Sequence, residues 1–346
     1  MCAIEEKNTF CEAVKVRHLV STARKMVNST EGGNVIVMKT LLSANIRVGF
    51  YIAIPAVNIV LSITASLGNI LILIALRKVT SIHPPTKLLF QCLAITDLGV
   101  GLISLPVMAA LSLAIYIKNL DLKISNIFLY RLLWSSSIIL SGVSVFASTA
   151  LSVDRLLALF LGLRYRHVVT LKRVRAVLAC GCLALLLIML VRYFHAKTAS
   201  ITITILWTLC LSISLFSYTK IVLRLRQHQS SVRDNVQQGQ ANTEKMPLNL
   251  ERYKKTVVSI ALVQLALVIC YFPLIVFLIL FHLRRIPSGI DLILFDCTAT
   301  LVFVNSSLNP FLYCWRIKEI RQAVKATIRR FCACVSRGTL TLSTNQ

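Results

Sequence analysis

Seven long apolar runs dominate the chain and leave few folds open to it. Each run exceeds the roughly 20 residues with which a helix crosses a bilayer. Only helices satisfy their own backbone polar groups in lipid, so the pattern predicts an all-α membrane protein, a seven-transmembrane helix bundle. The charged fraction agrees, since 15% of the residues are charged, whereas a soluble domain has about a quarter. The runs cover 49–76, 86–116, 125–160, 173–194, 200–223, 255–283 and 290–314.

The predicted bundle divides the chain into three parts: an extracellular N-terminal segment (1–48), the helix domain (49–315), and an amphipathic helix with a cytoplasmic tail (316–346). The first segment has no run typical of a cleavable signal peptide, so we expect the first span to act as an uncleaved insertion signal. Asn28-Ser29-Thr30 in this segment is a glycosylation sequon. The polar stretch 227–250 predicts a loop, and the residues from Ser336 predict an irregular tail.

The basic residues are distributed unevenly between the two sides of the predicted bundle. With seven spans and an outer N-terminus, 24 of the 38 Lys and Arg residues fall on the inner side and 14 on the outer side. This asymmetry satisfies the positive-inside rule and places the C-terminal tail in the cytoplasm. The net charge of +25 forms no continuous basic surface, so we expect no nucleic-acid partner.

Cysteines outside the spans indicate two kinds of chemistry. Cys332 and Cys334 follow a basic amphipathic stretch just inside the membrane, which favours palmitoylation over free cytosolic thiols. Cys2, Cys11 and Cys297 are predicted at or near the outer face, where two of them could form a disulfide.

Polar residues recur at helical spacing inside three spans, which places each set on one face of its helix. One carboxylate, Asp97, among hydroxyls and amides suits a small hard cation with oxygen ligands. A neutral Asp in a hydrogen-bond network is equally compatible, and so is simple hydrogen bonding between helices. The sets are Asp97, Gly101 and Ser104 in the second span, Ser137, Ser141, Ser144 and Ser148 in the third, and Asn305, Ser306 and Asn309 in the seventh.

Two further features lie towards the inner ends of the third and seventh spans. Pro310 removes one backbone hydrogen bond and predicts a kink, and nearby Asn side chains could satisfy the freed carbonyl. Asp154-Arg155 closes the third span. The acid and base can hold one another, the Arg can be released towards a partner, or both can form a snorkelling interfacial pair.

The order and spacing of five short motifs resemble those of the rhodopsin-like (class A) G protein-coupled receptors. The resemblance extends from about residue 49 to 334. It implies a plasma-membrane receptor, not an enzyme, that activates a heterotrimeric G protein in response to an extracellular ligand. The motifs are Gly68-Asn69, Leu93 to Leu98, Ser152 to Arg155, Cys270 to Pro273, and Asn305 through Pro310 to Tyr313.

The resemblance also implies roles for individual residues. No cofactor is required, but an allosteric sodium ion is implied, as are arrestin, a receptor kinase and membrane lipids as partners. Residues 316–331 resemble the family's short amphipathic inner helix. The residues implied for G protein coupling and its switch are Asp154, Arg155, Tyr218, Asn309, Pro310 and Tyr313. The residues implied for the sodium pocket are Asp97, Ser144, Asn305, Ser306 and Asn309.

Departures from the family pattern concern the outer face and the resting state. Tyr130 stands where the family has a Cys, and the short loop at 192–199 has none, so the usual outer disulfide cannot form. Tyr253 replaces an acid that often pairs with the arginine, which leads to the hypothesis of raised basal activity. The missing disulfide, the short loop and the missing helix-five proline, where Cys210 stands, resemble the melanocortin, cannabinoid, lysophospholipid and adenosine receptors. The ligand is not readable, and the candidate pocket residues are Arg131, Trp134, Ser137, Tyr271 and Leu278.

Two alternatives remain open from the residues alone. A seven-helix transporter or ion pump would use buried Asp97 to carry a proton or cation, but it would need several membrane carboxylates along a path. Outer basic residues, Arg131 and Arg192 among them, would attract an anionic ligand or else form solvated loop charge.

Overall fold

The computed structural model describes residues 34–117, 127–237, 265–285 and 291–343, and its regular structure there is helical throughout. Seven helices are α1 Asn34–Lys78, α3 Ile127–Leu161, α4 Leu171–Phe194, α5 Ala196–Gln237, α6 Leu265–His282, α7 Asp291–Arg316 and α8 Lys318–Ser343. The remaining long helix, α2, consists of Pro84–Gly99, a π-helical segment Val100–Ser104 and Leu105–Ile117. A 3-10 turn, Gly162–Arg164, and a one-turn helix, Tyr165–Val168, connect α3 to α4.

The helices confirm the predicted seven-helix membrane bundle. Within the described ranges, α1 to α6 each contain a stretch long and apolar enough to cross a membrane. The 26-residue α7 is long enough to span a membrane, and it carries Asn305, Ser306 and Asn309. Between α4 and α5 only His195 is outside a helix, so the predicted short loop is a single residue. We call the end of the bundle that contains Asp154 and Arg155 the inner end, and the opposite end the outer end.

Two large apolar clusters hold the bundle together. The inner cluster joins α1, α2, α3, α4, α7 and α8, with Leu76, Leu93 and Ile320 at its centre. The other joins α3, α5, α6 and α7 around Trp207 and Tyr271. The helix α1 packs against α2 and α7, while α3 contacts α2, α4 and α5. Polar residues that face these contacts are therefore enclosed by at least three helices.

The contact between α1 and α7 is built around Pro310. Because proline has no N–H, the carbonyl of Ser306 four residues earlier loses its helical partner. Asn69 of α1 donates Nδ2 to that carbonyl at 3.1 Å, and to the carbonyl of Ala65 at 2.8 Å. A Cβ at Gly68 would lie 2.8 Å from Pro310 Cγ, so glycine is what lets the two helices approach. The helix α7 continues through Pro310 to Arg316.

Two helices continue well past the C-terminal ends that the sequence indicated. The prediction of a loop over 227–250 is wrong as far as Gln237, because these residues continue α5, which contains no Gly or Pro that would end it earlier. The amphipathic helix predicted over 316–331 continues to Ser343, so the irregular tail expected from Ser336 is also wrong up to that residue. Ile320 and Val324 pack the first turns of α8 into the inner cluster.

Candidate functional site

Asp97 lies near the centre of α2 and is fully buried, with 0% of its surface exposed. Ser144 of α3 and Ser306 of α7 donate their hydroxyls to its Oδ1 at 2.9 and 2.8 Å. Asn309 of α7 donates Nδ2 to Oδ2 at 2.7 Å. Both carboxylate oxygens are therefore hydrogen-bonded, and one side chain connects three helices.

Helical periodicity explains why these hydrogen-bond donors lie on the faces of α3 and α7 that meet Asp97. Ser306 and Asn309 are three residues apart on α7 and share a face. Ser144 belongs to a serine face of α3, on which Ser137 and Ser141 are also buried. An ionised carboxylate in a membrane interior is very costly without partners, so these donors are what permit its burial.

The arrangement around Asp97 fits a small hard cation. The carboxylate and the two serine hydroxyls supply oxygen, the ligand atom that such cations prefer. No Lys, Arg or His in the described ranges forms an ion pair with Asp97. On α1, the side chain of Asn69 is fully buried, and its Oδ1 has no hydrogen-bond partner among the described residues. The carboxylate of Asp97 is therefore a buried oxygen centre without a cationic partner in those residues.

Asn305, the other residue implied for this pocket, does not reach the carboxylate. Its side chain is buried, but its Nδ2 has no hydrogen-bond partner among the described residues. The oxygens of Asp97 are taken by donors from Ser144, Ser306 and Asn309. Asn305 therefore lines the polar region of α7 without joining the hydrogen-bonded centre.

At the inner end, Asp154 is held by three groups. Arg155 lies 3.0 Å from its Oδ2 through NH2, Thr86 of α2 donates to Oδ2 at 2.9 Å, and Tyr165 donates to Oδ1 at 2.6 Å. Asp154 is 3% exposed, whereas the Arg155 side chain is 32% exposed. We call these four residues the inner lock.

Sequence reasoning missed Thr86 and Tyr165. Thr86 follows two prolines at the start of α2, and Tyr165 begins the short helix after α3. Neither position belongs to a polar pattern, so their meeting depends on how α2 and the α3–α4 connection pack. Their oxygens lie 3.1 Å apart, so the two hydroxyls that donate to Asp154 also lie in contact with each other.

The two switch tyrosines lie in different apolar clusters. Tyr218 of α5 packs with Ile221 against Leu156 of α3. Tyr313 of α7 is in the inner cluster, where its ring lies 5.0 Å from that of Phe90. The two rings are therefore supported by different helices in this structure.

The candidate ligand-pocket residues lie on α3 and α6. Trp134 of α3 contacts Phe295 of α7 at a ring separation of 5.3 Å. Tyr271 is buried beneath it in the cluster that also includes Leu278 and Phe295, and Ser137 is buried on α3. Trp134 thus contacts Phe295, which packs against the same apolar cluster as Tyr271 and Leu278. The side chain of Arg131 lies outside the described residues.

A further carboxylate, that of Asp296, lies near the outer end of α7, directly after Phe295 in the chain. It accepts a hydrogen bond from Ser112 of α2 at 3.4 Å, near the long limit for such a bond. The sequence signal for it was an acid within the seventh apolar run. Its neighbour in the chain, Phe295, contacts the rings of Trp134 and Phe277.

The predicted modification sites fall outside the described side chains. Asn28 precedes the described residues, and α8 includes Cys332 and Cys334 in its backbone only. Cys297 of α7 is a free thiol, while Cys2 and Cys11 also lie outside the described ranges.

Comparisons with known proteins agree on one family. The family model described as "7 transmembrane receptor (rhodopsin family)" matches residues 68–204 and 192–313. Melanocortin receptor 5 of Rattus norvegicus is 24% identical over 295 residues, which are 81% of this chain and 87% of that receptor. Melanocortin receptor 4 of Danio rerio is 24% identical over 290 residues, which are 79% of this chain and 82% of that receptor.

Proposed function

The chain belongs to the rhodopsin family of seven-transmembrane receptors, and on this premise we propose how it works: Asp97 forms an allosteric cation site, and the inner lock controls access of a G protein to Arg155. The protein is a multi-pass class A G protein-coupled receptor, distantly related to the melanocortin receptors, and it is not an enzyme. A transporter is not favoured, since the matches are to receptors.

The observation that carries the proposal is the hydrogen-bonded centre at Asp97. Its partners come from α3 and α7, so any relative movement of these helices changes the environment of the carboxylate. Asp97, Ser144 and Ser306 are the residues that would hold a sodium ion. When bound, sodium neutralises the buried charge and favours the packing that keeps these oxygens together.

The inner lock keeps Arg155 at the bundle surface but bound to Asp154. Thr86 and Tyr165 also anchor Asp154, with one hydrogen bond to each carboxylate oxygen. A heterotrimeric G protein would compete for Arg155, and Tyr218 and Tyr313 would move from their separate clusters as Asn309 and Pro310 shift. In this proposal, a ligand biases the same two packings from the outer pocket.

Further parts of the proposal rest on the sequence and the family. The receptor lies in the plasma membrane with its N-terminus outside and its C-terminus in the cytoplasm. Arrestin and a receptor kinase act on its inner face, and membrane lipids contact the sides of the helix bundle. Asn28 is glycosylated, and Cys332 and Cys334 carry palmitate. The ligand of this chain does not follow from relatives that are 24% identical.

A sodium titration of thermal stability tests the cation site. We expect the melting temperature of the purified receptor to rise with NaCl and to saturate, whereas choline chloride at equal ionic strength has no such effect. At tenfold the dissociation constant, binding would stabilise the folded state by about 1.4 kcal/mol. Asp97→Asn removes the charge and should abolish the sodium-specific rise.

Ser307→Ala is the matched control for this titration. Its hydroxyl bonds the carbonyl of Leu61 at 3.1 Å rather than Asp97, so the sodium response should remain. An equal response of wild type to sodium and choline would remove the cation site from the proposal. G protein activation by the same preparation would be measured separately, because it tests the receptor function alone.

A further inference from the structure

An open groove lies between the inner parts of α3 and α5. It encloses about 280 Å³ and is lined by five side chains. Four of them are apolar and one is cationic, so the groove combines an apolar wall with a single positive charge. The lining residues are Leu156, Leu157, Phe160, Phe216 and Lys220.

The groove opens on the side of the bundle that faces lipid. Phe160 is 55% exposed and Phe216 is 58% exposed, although both belong to membrane-spanning helices. In a membrane bundle such exposed aromatic surface contacts acyl chains. Leu156, which lines the groove, indicates how deep the groove lies in the membrane. It directly follows Arg155 of the inner lock, so the groove lies at the inner membrane boundary.

The charge at the groove has no balancing carboxylate in the part of the chain that the structure describes. Lys220 is exposed, its Nζ lies 5.5 Å from the centroid of the Phe216 ring, and no carboxylate in the described ranges forms an ion pair with it. Arg224, one turn further along α5, is also exposed. A lysine at this depth extends its amine towards the headgroups, and the cytoplasmic leaflet carries anionic lipids.

We propose that this groove binds an anionic phospholipid of the inner leaflet. One acyl chain lies against Leu157, Phe160 and Phe216, and the headgroup phosphate pairs with Lys220. Leu156 lines the groove and also packs against Tyr218, so the bound lipid supports the contact between α3 and α5 beside Arg155. The proposal depends on the inner placement of this end of the bundle, not on the sodium site.

Native mass spectrometry of the full-length receptor tests the site directly. Receptor would be released from nanodiscs of phosphatidylcholine and phosphatidylglycerol with identical acyl chains, and the retained lipids counted. We expect wild type and Lys220→Arg to retain phosphatidylglycerol in preference to phosphatidylcholine. Lys220→Gln should retain about fivefold less, because one basic group near an anionic surface contributes about a factor of five.

Two further variants separate the groove from general charge effects. Lys325→Gln removes an exposed charge from α8, which packs on α1 and α7, and should leave lipid retention unchanged. Leu157→Trp fills the groove without changing charge and should reduce retention. Equal retention by Lys220→Gln and wild type would overturn the proposal. Equal retention of both phospholipids, or a preference for oleate over phosphatidylglycerol, would overturn it as well.

Discussion

At the scale of single residues, Asn69 has a defined structural task. Its Nδ2 donates to the carbonyl of Ser306, which Pro310 leaves without a helical partner. A free backbone carbonyl inside a bilayer is costly because water cannot replace the missing donor. Asn69 therefore offsets the cost that Pro310 imposes on α7.

We predict that Asn69→Ala destabilises the receptor by about 1–3 kcal/mol, the cost of leaving a buried acceptor unsatisfied. The free energy of unfolding would be measured in mixed micelles with an increasing fraction of SDS. Ser307→Ala is the control: its hydroxyl bonds the carbonyl of Leu61, which keeps its own helical donor. The loss of such a bond between membrane helices costs about 0.6 kcal/mol on average.

A double-mutant cycle gives this prediction a specific signature. In Pro310→Ala the restored N–H can bond the Ser306 carbonyl, so removing Asn69 should cost less there than in wild type. An equal cost of Asn69→Ala in the two backgrounds would show that Asn69 does not act on this carbonyl.

At the scale of elements, the inner lock joins α2, α3 and the short helix after α3. Asp154 receives bonds from Thr86 and Tyr165 as well as from Arg155. The lock does not use α6, whose described part begins at Leu265. Restraint of Arg155 can therefore arise without an acid at Tyr253, the residue that stands where many family members have one.

We predict that Tyr165→Phe raises ligand-independent G protein activation several-fold. The substitution removes the 2.6 Å bond to Asp154, and a hydrogen bond to a charged group contributes about 1.5–3 kcal/mol. With Asp154 less firmly anchored, Arg155 is released more often. Activation would be measured with a G protein sensor in cells, normalised to receptor at the surface.

Tyr193→Phe serves as the control for this experiment. Tyr193 is 71% exposed at the outer end of α4, so its hydroxyl should not affect the basal signal. A basal signal for Tyr165→Phe that equals or falls below that of wild type would contradict the proposed role of the lock. It would also weaken the link between Asp154 and Arg155 as a restraint.

At the scale of the whole molecule, the charge distribution and the seven helices predict one orientation. The 24 inner and 14 outer basic residues favour a cytoplasmic C-terminus under the positive-inside rule. We expect an epitope tag at the N-terminus to be stained on intact cells. A tag at the C-terminus should be stained only after permeabilisation, and the reverse pattern would contradict the orientation.

Much of the architecture could be predicted from the sequence because apolar length and polar spacing are local properties. The described parts of the seven spans are confirmed as helices, and the structure brings Asp97, Ser144, Ser306 and Asn309 together. The helix ends were predicted less well: α5 and α8 continue past polar stretches, because polar composition alone does not end a helix. Asn305 shows a similar limit, since the family resemblance implied a place for it in the pocket, whereas the hydrogen bonds to Asp97 come from Ser144, Ser306 and Asn309.

The sequence by itself determined that this protein is a membrane bundle and that a carboxylate and a proline lie inside it. Hydrophobicity and helical periodicity suffice for that, since each depends on residues close in the chain. Only the tertiary structure decided which partners these residues meet. Asn69 and Ser306 are 237 positions apart in the sequence, and Thr86 and Tyr165 are 79 positions apart. Helix packing brings each pair together, and no local sequence pattern encodes that packing.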